Sequence, residues 1–159
     1  MMKIKTSLAI LAAATALTLS ACSGGAAGEA KGPNSEARTT AFKAMMPNFS
    51  SMGKMVKGEE PYDVEKFKTA AVAFAEESKE PFEHFERDAA VDGKPQDGDA
   101  LPAVWEKPEE AKAAEEKFHA AVEKLTTEAQ SGNLDTIKVA YGDVGASCKA
   151  CHDNFRRPK

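Results

Sequence analysis

The sequence predicts an all-α protein folded as an antiparallel four-helix bundle. Apolar residues recur at spacings of three and four along four long stretches. Stop and cap residues set short turns between the first and second stretch, and between the third and fourth: Gly58 and Asp63 at one, Gly132 and Asn133 at the other. No alternation of useful length suggests a strand, and four amphipathic helices with short pairwise turns are the signature of a bundle.

The first helix is expected over about 36–57, with Phe42, Met45, Phe49, Met52 and Val56 on one face and Gly58 as its stop. Pro47 lacks the amide that would bond back to Lys43, so a mid-helix kink is expected. Asp63 is the N-cap of a second helix carrying Val64, Phe67, Ala71 and Phe74, ended by Pro81. Residues 81–107 read as a long surface connection anchored by Phe82, Phe85 and Trp105. Pro108 at the first position and Glu109 and Glu110 in the first turn open a third helix burying Ala111, Ala114, Phe118, Ala121 and Leu125. The fourth helix carries Leu134, Ile137, Tyr141, Val144, Cys148, Cys151 and Phe155 without a break in the spacing.

Ahead of this domain, residues 1–21 place Lys3 and Lys5 before an apolar run from Leu8, too short for a comfortable membrane span, and read as a secretory signal peptide. Its end, Leu19-Ser20-Ala21-Cys22, resembles the bacterial lipoprotein cleavage box, which makes Cys22 the expected lipidation site. The rival reading is ordinary cleavage nearby that leaves Cys22 a spare thiol, a liability in an oxidising compartment. Residues 22–35 carry no large apolar side chain and read as a flexible tether, about 20 Å in mean span. The bundle is then 36–159, a lipid-anchored periplasmic domain.

With 159 residues the chain holds one domain with a single core. Its formal charge is −4, and about −6 once Lys3 and Lys5 leave with the signal peptide. Charges of both signs are spread along the helices instead of pooling into a basic patch, which argues against nucleic acid as a partner. The three cysteines, Cys22, Cys148 and Cys151, are an odd number and exclude a complete disulfide framework.

Cys148-Lys149-Ala150-Cys151-His152 carries the chemistry. C-x-x-C-H is a covalent haem attachment pattern. On a helix the two thiols share a face for the haem vinyl groups, and His152 stays on that side as an axial ligand to iron. C-x-x-C also occurs in zinc sites and thiol oxidoreductases. Zinc wants a fourth ligand at tetrahedral spacing, and a thiol enzyme sets the pair at a helix start within a βαβ unit; this chain offers neither. His84 and His119 have no partner at metal spacing and read as surface residues. A lipoprotein with a purely scaffolding bundle leaves the motif unexplained.

The chain resembles the cytochrome c′ family of class II c-type cytochromes. The resemblance covers nearly everything after the tether. It rests on Arg38 opening the first helix, the run from Val56 to Asp63, Pro102-Ala103-Val104-Trp105, and the terminal run Gly142-Asp143-Val144-Gly145-Ala146-Ser147-Cys148-Lys149-Ala150-Cys151-His152-Asp153-Asn154-Phe155-Arg156.

This resemblance implies one covalently bound haem c on Cys148 and Cys151, with His152 as proximal iron ligand. The sixth position is then left open under an apolar residue of the first helix, here Phe42. It also implies Arg38 beside a haem propionate and Arg156 on the proximal side, where its bland counterpart is a helix-end cation favoured by the dipole. The function implied is binding of nitric oxide and carbon monoxide, with electron exchange with redox partner proteins, and not an enzyme activity. Relatives often pair as homodimers through the first helix. Low-spin relatives instead supply a methionine as sixth ligand. Met45 and Met46 lie about 4.5–6 Å further along the helix than Phe42, which favours the Phe42-covered iron.

Overall fold

The computed structural model describes residues 30–158. Four long helices form the bundle: α1 (Pro33–Lys57), α2 (Val64–Glu77), α4 (Pro108–Ser131) and α5 (Leu134–Phe155), with a 3₁₀ segment, η1 (Glu80–His84), and a single turn, α3 (Ala103–Glu106), in the connection. Helix α1 packs on α2, α2 on α4, α4 on α5 and α5 on α1, which closes the ring. Met52, Phe67, Phe74, Leu125, Ile137 and Val144 form the fully buried centre.

The turns follow the expected chemistry. Gly58 ends α1 in the left-handed region at φ 74°, and its amide donates to the carbonyls of Lys54 and Met55. The Asp63 side chain accepts from the Lys66 amide at 3.0 Å to open α2. Gly132 at φ 69° ends α4, and Asn133 accepts from the Asp135 amide to start α5. Tyr62 ties the two turns together by donating to the Gly132 carbonyl at 3.1 Å.

Helix α1 differs from expectation at its start. It begins at Pro33, not near 36, so the last residues of the anticipated 22–35 tether are folded. Pro33 suits the first helical position because its missing amide has no partner there anyway. The next amides are satisfied from 54 and 53 residues away: Asp88 accepts from Asn34 N at 2.9 Å and from Ser35 N at 2.8 Å. Lys31 and Asp97 pair through their backbones in an isolated antiparallel β-bridge, and the Gly32 amide donates to the Gln96 carbonyl at 3.0 Å. Helix α1 is assigned without interruption through Pro47, which is exposed. Cys22 and the signal peptide lie outside the described residues.

The connection between η1 and α4 is a structural layer and not only a surface loop. Asp97 is 2 % exposed and receives Arg87 Nε and Nη2 at 3.1 and 2.8 Å, and the same guanidinium stacks on Trp105 at 4.8 Å. Trp105 Nε1 donates to the Phe85 carbonyl at 2.7 Å. The Leu101 and Arg157 amides bond the Phe155 and Asp99 carbonyls, which stitch this segment to the end of α5. On α4 the inward face is Phe118, Val122, Leu125 and Ala129; Ala121 is half-buried beside it. Among the described residues, no helix is long and apolar enough to cross a membrane.

Candidate functional site

Towards one end of the bundle the core opens into a cavity of about 390 Å³. Helix α5 supplies Cys148, Cys151, His152, Phe155 and Arg156 to its wall because the three-four spacing carries the core stripe to the end of the helix. Helix α1 supplies Arg38, Phe42, Met45, Met46 and Phe49. The remaining walls are mostly aromatic: Phe74 of α2, Phe82 and Phe85 at η1, and Phe118 of α4. Every candidate site residue read from the sequence within the described region therefore borders one space.

Cys148 and Cys151 are half-buried. Burial, reinforced by the neighbouring Cys151, pushes the Cys148 thiol up to about 11, and burial followed by Glu115 raises Cys151. Both shifts run away from the low-pKa pair of a thiol oxidoreductase. Among the described residues, no cluster of three or more metal-ligating side chains forms. Two thiols and an imidazole bordering an apolar, aromatic-walled space fit a flat hydrophobic macrocycle held by thioethers and one axial nitrogen.

Several polar groups around the cavity already hold protein partners. Arg38 is 6 % exposed and is not a solvated first-turn residue: Nη1 donates to the His84 carbonyl at 2.6 Å and Nη2 to that of Asp97 at 2.9 Å. Burial lowers its pKa, and Asp88, Asp97 and Asp99 partly offset that. The Thr39 hydroxyl donates to the Ser35 carbonyl at 2.7 Å, and that of Ser147 to the Val144 carbonyl at 2.7 Å. Arg156 caps α5, its amide bonding the His152 carbonyl, and its Nη2 reaches Asp99 at 3.4 Å.

A clamp between α1 and α5 fixes the spacing of the two walls. Tyr141 stacks on Phe49 at 4.4 Å with 13° between the rings, and its hydroxyl donates to the Phe49 carbonyl at 3.2 Å. Gly53 leaves room for that hydroxyl, since a Cβ there would stand 2.4 Å from it.

The cytochrome C′ family model matches residues 34–156. The chain belongs to the cytochrome c′ family. The cytochrome c′ of Alcaligenes xylosoxydans xylosoxydans is 36 % identical over 122 residues, covering 77 % of this chain and 91 % of that protein. The cytochrome c′ of Rubrivivax gelatinosus is 34 % identical over 121 residues, 76 % and 92 % of the two chains. Among solved structures, a nitric oxide complex of a cytochrome c prime variant from Alcaligenes xylosoxidans aligns with a TM-score of 0.70 at 34 % identity, covering 79 % of this chain and 94 % of that one. As in other cytochromes c′, the cofactor is one covalently attached haem c.

Sequence reasoning missed several cytochrome c′ site features. Asp99 and Ser147 border the cavity, and nothing in local spacing marks Asp99. Phe82 and Phe85 were expected as anchors of a surface connection; they are cavity walls. His84 and His119, expected at the surface, are half-buried: His84 faces Glu80 at 3.0 Å, and the His119 ring meets Phe82 edge-on at 4.9 Å.

Proposed function

We propose that this cytochrome c′ holds its haem through thioethers to Cys148 and Cys151, with His152 as the single protein ligand to iron, and binds nitric oxide and carbon monoxide on the face covered by Phe42. When bound, the haem supplies a redox-active iron with one position open to a diatomic gas. The observation that carries this reading is the cavity itself, which α5 borders with both thiols and the imidazole and α1 borders with Phe42. Phe42 offers bulk and no hydrogen-bond donor. The nearby hydroxyls of Thr39 and Ser147 already donate to helix carbonyls, so neither is poised to stabilise dioxygen, the gas that depends most on a donor. Nitric oxide and carbon monoxide need that help less.

Arg38 is the group that meets a haem propionate, its guanidinium held in place by the carbonyls of His84 and Asp97. Arg156 stands next to His152 through the helix-end bond and steers exchange on the proximal side. The protein works in the periplasm, anchored to a bacterial membrane by lipid on Cys22, exchanges electrons with redox partner proteins, and pairs as a homodimer. Met45 carries the rival reading, a methionine-ligated electron carrier, because it is 3 % exposed and borders the same cavity.

Titration of the purified, reduced protein with each gas tests the proposal. Nitric oxide and carbon monoxide are expected to shift its absorption spectrum, while dioxygen oxidises it without a stable complex. A reduced spectrum left unchanged by nitric oxide and carbon monoxide refutes it.

A further inference from the structure

The Phe42 ring does not stand alone on its wall. Phe82 meets it edge-on with centroids 5.8 Å apart at 77°, and Phe85 does so at 6.4 Å and 80°. These two rings stack on each other at 5.8 Å and 24°, so they form one plate against which Phe42 abuts. The plate is fixed on both flanks. Phe82 packs on Phe118 at 5.6 Å. Phe85 lies under the Arg38 guanidinium at 4.8 Å, and its carbonyl receives Trp105 Nε1–H at 2.7 Å. Arg38 sits one helical turn before Phe42 and also bonds the His84 carbonyl, so the plate and the helix that bears Phe42 are bolted together.

We propose that Phe85 is a positioning residue for gas entry: with Phe82 it clasps the Phe42 ring and sets how readily that ring leaves the cavity wall to admit a diatomic ligand. The inference rests on the Phe42-covered reading above. A ring that swings aside must break its edge contacts with both partners. Edge-to-face pairs are individually weak but directional, so removing one lowers the barrier without removing the cover. Arg38 thereby has a role independent of any propionate: it holds Phe85 face-on and keeps the plate in register with α1.

The test uses the haem-loaded full chain and compares Phe42→Ala, Phe85→Leu, Phe85→Tyr, Trp105→Phe and the double variant Phe42→Ala/Phe85→Leu. Carbon monoxide association to the ferrous protein is followed after flash photolysis. NMR of the Phe42 ring, selectively labelled, in the gas-free ferrous protein reports its flip rate.

Phe85→Leu is expected to accelerate association roughly three- to tenfold, the scale of one lost edge-to-face contact, and to speed the flipping of Phe42. Phe85→Tyr retains wild-type rates. Trp105→Phe, which keeps Phe82 and Phe85, removes the bond to the Phe85 carbonyl and leaves a smaller ring under Arg87, shifts both readouts in the same direction by less, and decides the matter if Phe85→Leu fails to fold. In the double variant Phe85→Leu adds nothing to Phe42→Ala. If Phe42→Ala accelerates association while Phe85→Leu and Trp105→Phe leave rate and ring flipping unchanged, the clasp is overturned and the covered-iron reading stands. If Phe42→Ala itself changes nothing, both fall.

Discussion

Gly53→Ala, ordinarily a stabilising change inside a helix, is expected to destabilise this protein. Alanine gains about 1 kcal/mol over glycine in a helix interior. Here the new Cβ would stand 2.4 Å from the Tyr141 hydroxyl and 3.2 Å from the ring carbon that bears it. Tyr141 cannot turn away, because it is stacked on Phe49 at 4.4 Å and bonded to the Phe49 carbonyl. The helices must part or the ring must slide and lose that bond. Overpacking costs about 1–3 kcal/mol and the lost hydrogen bond about 1 kcal/mol. The net loss is about 1–3 kcal/mol, a fall of roughly 4–10 °C in the melting temperature of a domain this size.

Thermal melts of the haem-loaded protein followed at the haem band measure it, and a cycle with Tyr141→Phe gives the decisive comparison. Alone, Tyr141→Phe removes one hydrogen bond and costs about 0.5–1.5 kcal/mol. In the Gly53→Ala background it removes the shorter of the two contacts and restores part of the lost stability, so the two changes are strongly non-additive. Additive effects, or a Gly53→Ala protein as stable as wild type with Tyr141 intact, would refute the clamp.

Two other contacts give independent tests. Asp88→Ala leaves the Asn34 and Ser35 amides without their acceptor; cap and dipole contributions predict a loss of about 1–2.5 kcal/mol by denaturant melt, Asp88→Asn falls between, and an unchanged midpoint contradicts the remote cap. Glu60 links Lys54 of α1 to Lys66 of α2 at 3.0 Å each, and the hydrogen bonds from Lys66 and Lys54 hold its carboxyl below the usual carboxylate range. Its contribution is therefore present above the unfolded carboxylate pKa and lost as pH falls through the lower folded value. The melting-temperature difference between wild type and Glu60→Gln is expected at pH 6 and absent well below pH 4.5, and a difference that persists in acid excludes the ion pairs as its source.

What the sequence made legible was local. The stripe from Ile137 to Phe155 could be read because its three-four spacing never breaks, and it delivered Cys148, Cys151 and His152 to the cavity together. Stops and caps at Gly58, Asp63, Gly132 and Asn133 placed both turns because each acts within a few residues of itself. What escaped was long-range and polar. Asp88 caps α1 across more than fifty residues, and Arg38 bonds carbonyls 46 and 59 positions away. No periodicity encodes such pairs, so 81–107 read as a surface connection when it is a wall of the site. The early start of α1 did have a local sign in Pro33 after Gly32. Ala121 packs against the core as its spacing predicts, and Val122 beside it is buried as well, because both fit the inward face of α4 to within one position.

Phe42 borders the cavity, and Met45 borders it too and is more deeply buried. The coordination number of the ferrous iron decides between them. Resonance Raman spectroscopy of the reduced, gas-free protein, taken alongside Met45→Leu, reads it directly. The Phe42-covered site predicts a five-coordinate high-spin spectrum in both proteins. A six-coordinate low-spin spectrum in wild type that becomes high-spin in Met45→Leu would contradict it and make the protein a methionine-ligated electron carrier.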